Sequence, residues 1–499
     1  MEPRPIHELA ASCGGQLMRG DPRAVVRRVT IDSRRVQAGD LFVAIRGERH
    51  DGHRFVAEAV QRGAVGVLIE SGTDCSETLD SCVVRVEDTR RALGDMALWH
   101  RRAFDIPVVA VVGSNGKTTT KNLVASVLAA RFRTLSSEAS YNNDIGVPLT
   151  LLGLDRSHEA AVVEAGTNHP GELAPLLEMI RPTVGVLTGI GREHLEFFGD
   201  LDGVLDEEGV IGEHVDGGGV LFVNSDAPGI ERVTSRARVP VVRVGCGGSA
   251  EWRVLSAAVG DEGTEFSILA PVREYEGKYK LRLLGKHQAV NAALAVAVGA
   301  RLGLSRDEIT SGLLSCAAAA HRMQMQRFGG VRVLDDTYNA NADSMRAALD
   351  TLKELPCKGR RIAVLGEMCE QGSQSGVLHA EVGGYAVSAG VSHIFAIGRW
   401  ARIYGEAARH AGRVEVWEFD DKGAAAGALC DFVRNGDLVL VKASRVMKME
   451  EIVEALRLRL KGAGDSDCAG GAGDCGCGCL RGDGKPIADG ELAGIGTKR

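Results

Sequence analysis

The chain has 499 residues, 44% hydrophobic and 25% charged, a globular balance that excludes a wholly disordered, collagenous or coiled-coil protein and is long enough for roughly three domains of about 150 residues. The 59 Lys and Arg face 66 Asp and Glu, a net charge of −7, so nothing attracts nucleic acid or an anionic membrane globally, and any phosphate site must be local. The opening MEPRPIHELAAS lacks a basic stretch followed by an apolar core, and no apolar run reaches the roughly eighteen residues that span a bilayer, so the expectation is a cytoplasmic protein.

In chain order, residues 1–105 alternate short apolar runs (VVRRVTI, LFVAI, AVGVLI, CVVRV) with Gly and Asp punctuation, which predicts a small α/β domain. From Pro107, IPVVAVVG reads as a buried strand, SNGKTTTKNLVASVLAARF as a loop opening an amphipathic helix, and AAVVEAG and TVGVLTGI as further buried strands, the pattern of a doubly wound nucleotide-binding domain over 106–319. A third block, 320–461, repeats strand, helix and strand: VRVLDD, SMRAALDTLKEL, RRIAVLGEM, HIFAIG, VEVWEF and DLVLVKAS, Rossmann-like without a GxGxxG. Within it, Asp343 and Ser344 look like a helix start. Residues 462–499 form a Gly- and Cys-rich tail predicted to be disordered. Of the 12 cysteines, eight scattered ones are expected as buried small hydrophobes. The other four, Cys468, Cys475, Cys477 and Cys479, crowd into the tail, where closely spaced thiolates suit soft metals but no CxxC pair exists.

Gly113, Ser114, Asn115, Gly116, Lys117, Thr118 and Thr119 follow the first buried strand and open the helix. Backbone N–H groups there can wrap phosphate oxygens, Lys117 can neutralise the β and γ phosphates, and the Thr118 hydroxyl can hold Mg²⁺. The spacing is GxxGKT, shorter than the general GxxxxGKT. Glu164 ends a strand at its carboxyl end, where doubly wound sheets place ligands, and a carboxylate there can coordinate the same Mg²⁺. Thr167, Asn168 and His169 follow.

The shortened loop, with IDSRRVQAGDLFVAIRGERHDGHRF at 31–55, YNNDIGVPLTLL at 141–152, VVEAGTNHPGEL at 162–173 and DDTYNANADSMRAAL at 335–349, resembles the Mur ligases of bacterial cell-wall synthesis from about residue 20 to 460. The resemblance implies a three-domain α/β fold: a small UDP-binding domain, a central P-loop ATPase domain and a C-terminal Rossmann-like domain. It further implies a cytoplasmic, monomeric, ATP- and Mg²⁺-dependent ligase joining D-alanyl-D-alanine to a UDP-N-acetylmuramoyl tripeptide through an acyl phosphate.

Residue by residue, the resemblance implies that Asp32, Ser33, Arg34, Gly47, Glu48, Asp51, Gly52 and His53 hold the uridine nucleotide, though a turn bonded by Asp and Ser explains them equally. Asn142, Asn143 and Arg322 join Lys117, Glu164 and His194 in catalysis. Asn291, after Gly285, Lys286 and His287, faces the adenine, and Arg322, Asp336, Tyr338 and Asn339 close over ATP. Asn168, Asn341, Lys442, Ser444 and Arg445 meet the substrates. The metal set is Thr118, Glu164, His194 and Glu208.

Glu208 is a departure. The family carries a lysine fourteen residues after the HLE histidine, carbamylated to present a carboxylate to the second metal, and that position here is Glu208. Glu208 is expected to take over the carbamate's role, with Glu207 as substitute if the register slips by one. The competing expectations are loss of that interaction, a folylpolyglutamate-type or other Mur ligase, and a non-catalytic nucleotide-binding partner.

Overall fold

The structure, a computed structural model, describes residues 1–47, 50–73 and 81–464. It divides into two compact units: Met1–Asp105 with Asp144–Ser157, and Ile106–Asn143 with residues 158–464. Glu48 and the tail cysteines Cys468, Cys475, Cys477 and Cys479 lie outside the described residues.

The first unit is built on a five-stranded sheet ordered Gln16–Arg19, Cys82–Val86, Gly66–Glu70, Asp40–Val43, Arg28–Thr30. Only Gln16–Arg19 runs antiparallel to its neighbour. The apolar runs of the sequence become strands because both faces are covered, leaving Phe42, Val67 and Ile69 in the core. Asp88 caps the helix Thr89–Arg101 by accepting the N–H groups of Arg90 and Arg91 at 2.8 and 2.9 Å. The helix Gly146–Leu152 belongs to this unit as well.

The second unit holds two sheets. The larger has nine strands, running Thr134–Ser136, Ala160–Glu164, Val108–Val112, Val184–Leu187, Val220–Asn224, Val241–Gly245 and Trp252–Gly260 in parallel, then Gly263–Leu269 and Gly277–Leu281 antiparallel. All five residues of Val108–Val112 are fully buried. The chain flanks this strand first with Ala160–Glu164 and then, on its other side, with Val184–Leu187. That reversal of direction opens a crevice at the strands' carboxyl ends, where open α/β sheets bind ligands.

The smaller sheet has six strands: Gln324–Phe328, Val331–Asp336, Leu438–Lys442, Arg361–Leu365, His393–Ile397 and Glu415–Phe419. All but the first pair in parallel, as expected of a Rossmann-like block.

Three features differ from the sequence reading. The hairpins between Trp252 and Leu281 went unanticipated, because antiparallel strands with one wet face bury Trp252, Val254, Phe266 and Ile268 while leaving Leu255 and Leu269 exposed. The helix Ala342–Glu354 starts earlier than Asp343: its cap is Asn341, whose side chain accepts the Ser344 N–H at 2.8 Å. Of the seven described cysteines, all free thiols, only Cys82 and Cys316 are buried and Cys246 is exposed, so the expectation of buried small hydrophobes fails for most. No described helix is long and apolar enough to cross a membrane.

Candidate active site

The turn after Val108–Val112 needs glycine at two points. Gly113 has φ +121°, and a Cβ there would stand 2.5 Å from Thr188 Oγ1; Gly116 has φ +84°, and its Cβ would stand 3.0 Å from Asn291 Oδ1. Both angles suit residues without a side chain. The helix Lys117–Leu128 then begins, its first loop-to-helix bond running from Thr120 N–H to Gly116 O at 2.8 Å. The N–H groups of Lys117, Thr118 and Thr119 precede that bond, so they and the positive end of the helix dipole are available to an anion.

Lys117 folds back over the loop. Its Nζ donates to Gly113 O at 2.5 Å, to Ser114 O at 3.2 Å and to Glu193 Oε1 at 3.2 Å. Burial opposes its charge, but the carboxylates of Glu193, Glu208 and Glu164 outweigh burial and hold it above the usual lysine range. Glu193 escaped the sequence reading, although it directly precedes His194.

Thr118 Oγ1 lies 3.1 Å from both Glu164 Oε1 and Ser140 Oγ. Asn142 Nδ2 donates to the same Glu164 oxygen at 2.9 Å, and Asn143 follows in that loop. Arg322 reaches Ser140 Oγ at 3.4 Å with its guanidinium 3.9 Å from the centre of the Tyr338 ring. A polar string thus runs from the phosphate loop to the entry of the C-terminal sheet. Lys121, also missed, is buried under this loop and donates to Ser137 O at 2.7 Å and Ala139 O at 3.0 Å, and burial lowers its pKa.

The adjacent acids Glu207 and Glu208 end the helix Leu201–Glu208 and diverge. Glu207 accepts from Gly171 N at 2.7 Å, Leu173 N at 2.8 Å and Thr167 Oγ1 at 3.2 Å, so it fixes the 167–173 loop that carries Asn168. Glu208 turns to the phosphate loop, where its Oε2 accepts the Gly113 N–H at 2.7 Å. Its Oε1 is buried without a hydrogen-bond partner, as is Glu164 Oε2. Burial pushes the Glu208 carboxyl up to about 7, against the pull of Lys117.

Two orphaned carboxylate oxygens and the Thr118 hydroxyl form the kind of donor set a hard cation takes. Among the described residues no cluster of three or more His, Cys, Asp or Glu forms a cage by itself.

The remaining expected residues mostly support one another. Asn291 donates to Gln288 Oε1 at 2.9 Å while packing under Gly116. Lys442 Nζ, buried, meets Asp336 Oδ2 at 2.6 Å and Asn339 O at 2.8 Å. Ser444 Oγ accepts the Cys369 N–H at 2.8 Å, and Arg445 pairs with Glu450 at 2.7 Å. Asn341 Nδ2 reaches Asn115 Oδ1 at 3.0 Å. His194 Nδ1 lies 2.5 Å from Glu370 Oε2.

In the first unit, Asp32 and Asp51 each accept the N–H two residues on, at 3.0 Å, and Ser33 donates to Glu58 at 2.9 Å. His53 Nε2 accepts the Glu70 N–H at 3.0 Å, which leaves Nδ1 as the donor to Asp51 at 2.6 Å. Both ring nitrogens are therefore occupied, Arg34 pairs with Asp32 at 2.9 Å, and Arg46 stands 3.4 Å from Asp51 and 3.2 Å from Glu70. Gly47 N–H closes the turn onto His50 O at 2.9 Å.

Family models for the Mur ligase middle domain, the glutamate ligase domain and the catalytic domain match residues 111–299, 321–445 and 25–101. The chain is similar to the UDP-N-acetylmuramoyl-tripeptide–D-alanyl-D-alanine ligase of Escherichia coli, 34% identical with 91% of this chain and 98% of the relative covered. The Bacillus subtilis ligase of the same name is 31% identical, covering 87% and 94%. Among solved structures, MurF from Acinetobacter baumannii superimposes with a TM-score of 0.84 at 29% identity, covering 92% of this chain and 99% of that one. MurF ligase from Thermotoga maritima in complex with ADP gives 0.76 at 27% identity, covering 88% and 99%.

Proposed function

The chain belongs to the Mur ligase family, and from that premise we propose that it is the ATP-dependent ligase that joins D-alanyl-D-alanine to UDP-N-acetylmuramoyl tripeptide, giving the pentapeptide, ADP and phosphate in peptidoglycan synthesis. A carboxylate resists attack by an amine. The tripeptide carboxylate therefore takes the γ-phosphoryl of ATP, forming an acyl–oxygen–phosphorus bond as the bond to ADP breaks. The dipeptide amine adds to the activated carbonyl, loses its proton, and the tetrahedral intermediate expels phosphate.

The observation that carries this reading is the convergence of Thr118, Glu164, Glu208 and Lys117 on one phosphate loop, with two carboxylate oxygens left without partners. Lys117 and the first-turn N–H groups would receive the β and γ phosphates, and Arg322 with Tyr338 would border the nucleotide. Thr118, Glu164 and Glu208 would hold Mg²⁺, with His194 beside them; the chemistry the ion supplies when bound is withdrawal of charge from the phosphate oxygens. Glu208 offers as a coded side chain the anionic oxygen pair that the family obtains from a carbamylated lysine, which predicts a rate indifferent to bicarbonate. Asp32, Arg34 and the Asp51 turn would engage the uridine nucleotide.

The test is phosphate release from ATP and Mg²⁺ with the UDP-muramoyl tripeptide, with and without D-alanyl-D-alanine, and the product identified by mass. Release that requires both substrates and a product heavier by the dipeptide supports the ligase. ATP binding without turnover selects a nucleotide-binding module instead. A Glu208→Lys variant whose rate depends on bicarbonate supports the positional equivalence, and a Glu208→Ala variant with unchanged rate removes Glu208 from the metal site.

A further inference from the structure

His194, directly before the short helix Leu195–Phe198, has φ +50°, and Glu370, in the loop after the strand Arg361–Leu365, has φ +61°. Left-handed backbone is unfavourable at a residue bearing a Cβ and persists where the surroundings over-determine it. Here the two strained residues meet. His194 Nδ1 lies 2.5 Å from Glu370 Oε2, and the Glu196 backbone N–H donates to Glu370 O at 3.1 Å. The same loop closes so tightly on this segment that a Cβ at Gly372 would stand 3.1 Å from Glu196 Cα. Side chain, backbone and close packing thus hold the loop 369–372 of the C-terminal sheet on the segment that carries His194.

The chemistry of the contact is one-sided. The His194 Nδ1 faces a carboxylate oxygen of Glu370, and an ionised carboxylate accepts and cannot donate. The proton of the shared bond therefore sits on Nδ1. Nε2 has no hydrogen-bond partner among the described residues, and the residue directly before His194, Glu193, pairs with Lys117 of the phosphate loop at 3.2 Å. In a neutral imidazole, the hydrogen bond made at one nitrogen decides what the other offers.

We infer that Glu370 is a positioning residue for the ligase site: its carboxylate fixes His194 as the Nδ1–H tautomer, leaving the Nε2 lone pair for the phosphate-bound cation, and does so only while the 369–372 loop is docked. The inference rests on the proposed function in taking that cation as the one bound with ATP. A residue from the C-terminal sheet would thereby complete the metal environment built on the central sheet.

The test uses the full chain with ¹⁵N-labelled histidine, in the absence of metal, at a pH where the ring is neutral. His194 is assigned by its loss in His194→Gln. The expected wild-type spectrum has a protonated Nδ1 and a bare Nε2, Glu370→Ala reverts to the commoner Nε2–H form, and Glu370→Gln, whose amide oxygen still accepts, retains Nδ1–H. Mn²⁺ binding in the presence of a non-hydrolysable ATP analogue should weaken about tenfold to a hundredfold in Glu370→Ala and recover most of that loss in Glu370→Gln. A wild-type ring protonated on Nε2, or a tautomer unmoved in Glu370→Ala, overturns the inference whatever the ligase assay gives. The expected spectra with no ligase turnover would leave the positioning role standing and remove the proposed function instead.

Discussion

Asn341 Nδ2 donates to Asn115 Oδ1 across 3.0 Å, while Asn341 Oδ1 accepts the Ser344 N–H at 2.8 Å, so one amide both caps the helix Ala342–Glu354 and ties it to the phosphate loop. The two roles are separable. Asn341→Ala removes both and should lower stability by about 1 kcal/mol, the usual worth of a cap. Asn341→Asp keeps the acceptor, loses the donor and sets a carboxylate beside the phosphates. Urea unfolding of the Asp variant should match the wild type, yet both variants should raise the KM for ATP severalfold. An Asp variant with wild-type KM would mean that the tether has no bearing on nucleotide binding.

Glu207 is a structural neighbour of the site. It accepts three hydrogen bonds from Gly171, Leu173 and Thr167, and its loss removes the acceptor of two backbone N–H groups. Glu207→Ala should cost roughly 1–3 kcal/mol, the range for one unsatisfied buried donor, because Leu173 is buried whereas Gly171 is exposed and its N–H can turn to water. Hydrogen exchange localises the effect: the amides of Gly171 and Leu173 should lose protection well beyond the global change. Unchanged protection at both would show that the loop holds itself.

Arg322 lies 3.9 Å over the Tyr338 ring, and this stack, with no role for the phenolic hydroxyl, orients the guanidinium toward Ser140. Tyr338→Phe keeps the ring face and should leave ATP binding within about twofold of wild type. Tyr338→Leu forfeits a cation–π contact of about 1 kcal/mol, which corresponds to a loss in affinity of roughly fivefold. Equal losses in both variants would move the role from the ring to the hydroxyl.

How far the sequence foretold this arrangement depended on the range of the interaction. The phosphate loop was legible because its strand, glycines, lysine and helix are consecutive, and each obeys a local rule. Glu164 was legible from its place at a strand's carboxyl end. Glu193 and Glu370 were not: a glutamate beside a histidine is ordinary until folding sets it 3.2 Å from Lys117, and Glu370 meets His194 across 176 residues. Lys121 looked like a polar residue of an amphipathic helix and proved to be buried because two loop carbonyls receive it. The antiparallel hairpins near 252–281 escaped because half of their side chains face water, blurring the apolar runs that marked the parallel strands.

Glu208 gives the last prediction a sign. Buried against the phosphate loop, its carboxyl is pushed up to about 7 from the ordinary 4.5. At pH 4 the group is largely protonated in folded and unfolded chains alike and contributes nothing. As pH rises above 4.5 the unfolded chain ionises while the folded chain keeps its proton, so the folded state loses ground until the folded group also ionises near pH 7. Above that the loss is complete, at about 3 kcal/mol from 1.36 kcal/mol per unit. Glu208→Gln stays neutral throughout and can still accept the Gly113 N–H. The resting variant should therefore unfold at higher urea than the wild type at pH 8 and at nearly the same urea at pH 4.5. Saturating Mg²⁺ and ATP should reverse the order at pH 8, because the charged carboxylate is the form a cation stabilises, and only the wild type presents it. A difference between the two proteins that is constant with pH would show that the carboxyl does not titrate in this window, and a variant stabilised by Mg²⁺ and ATP as strongly as the wild type would remove Glu208 from the cation's ligands.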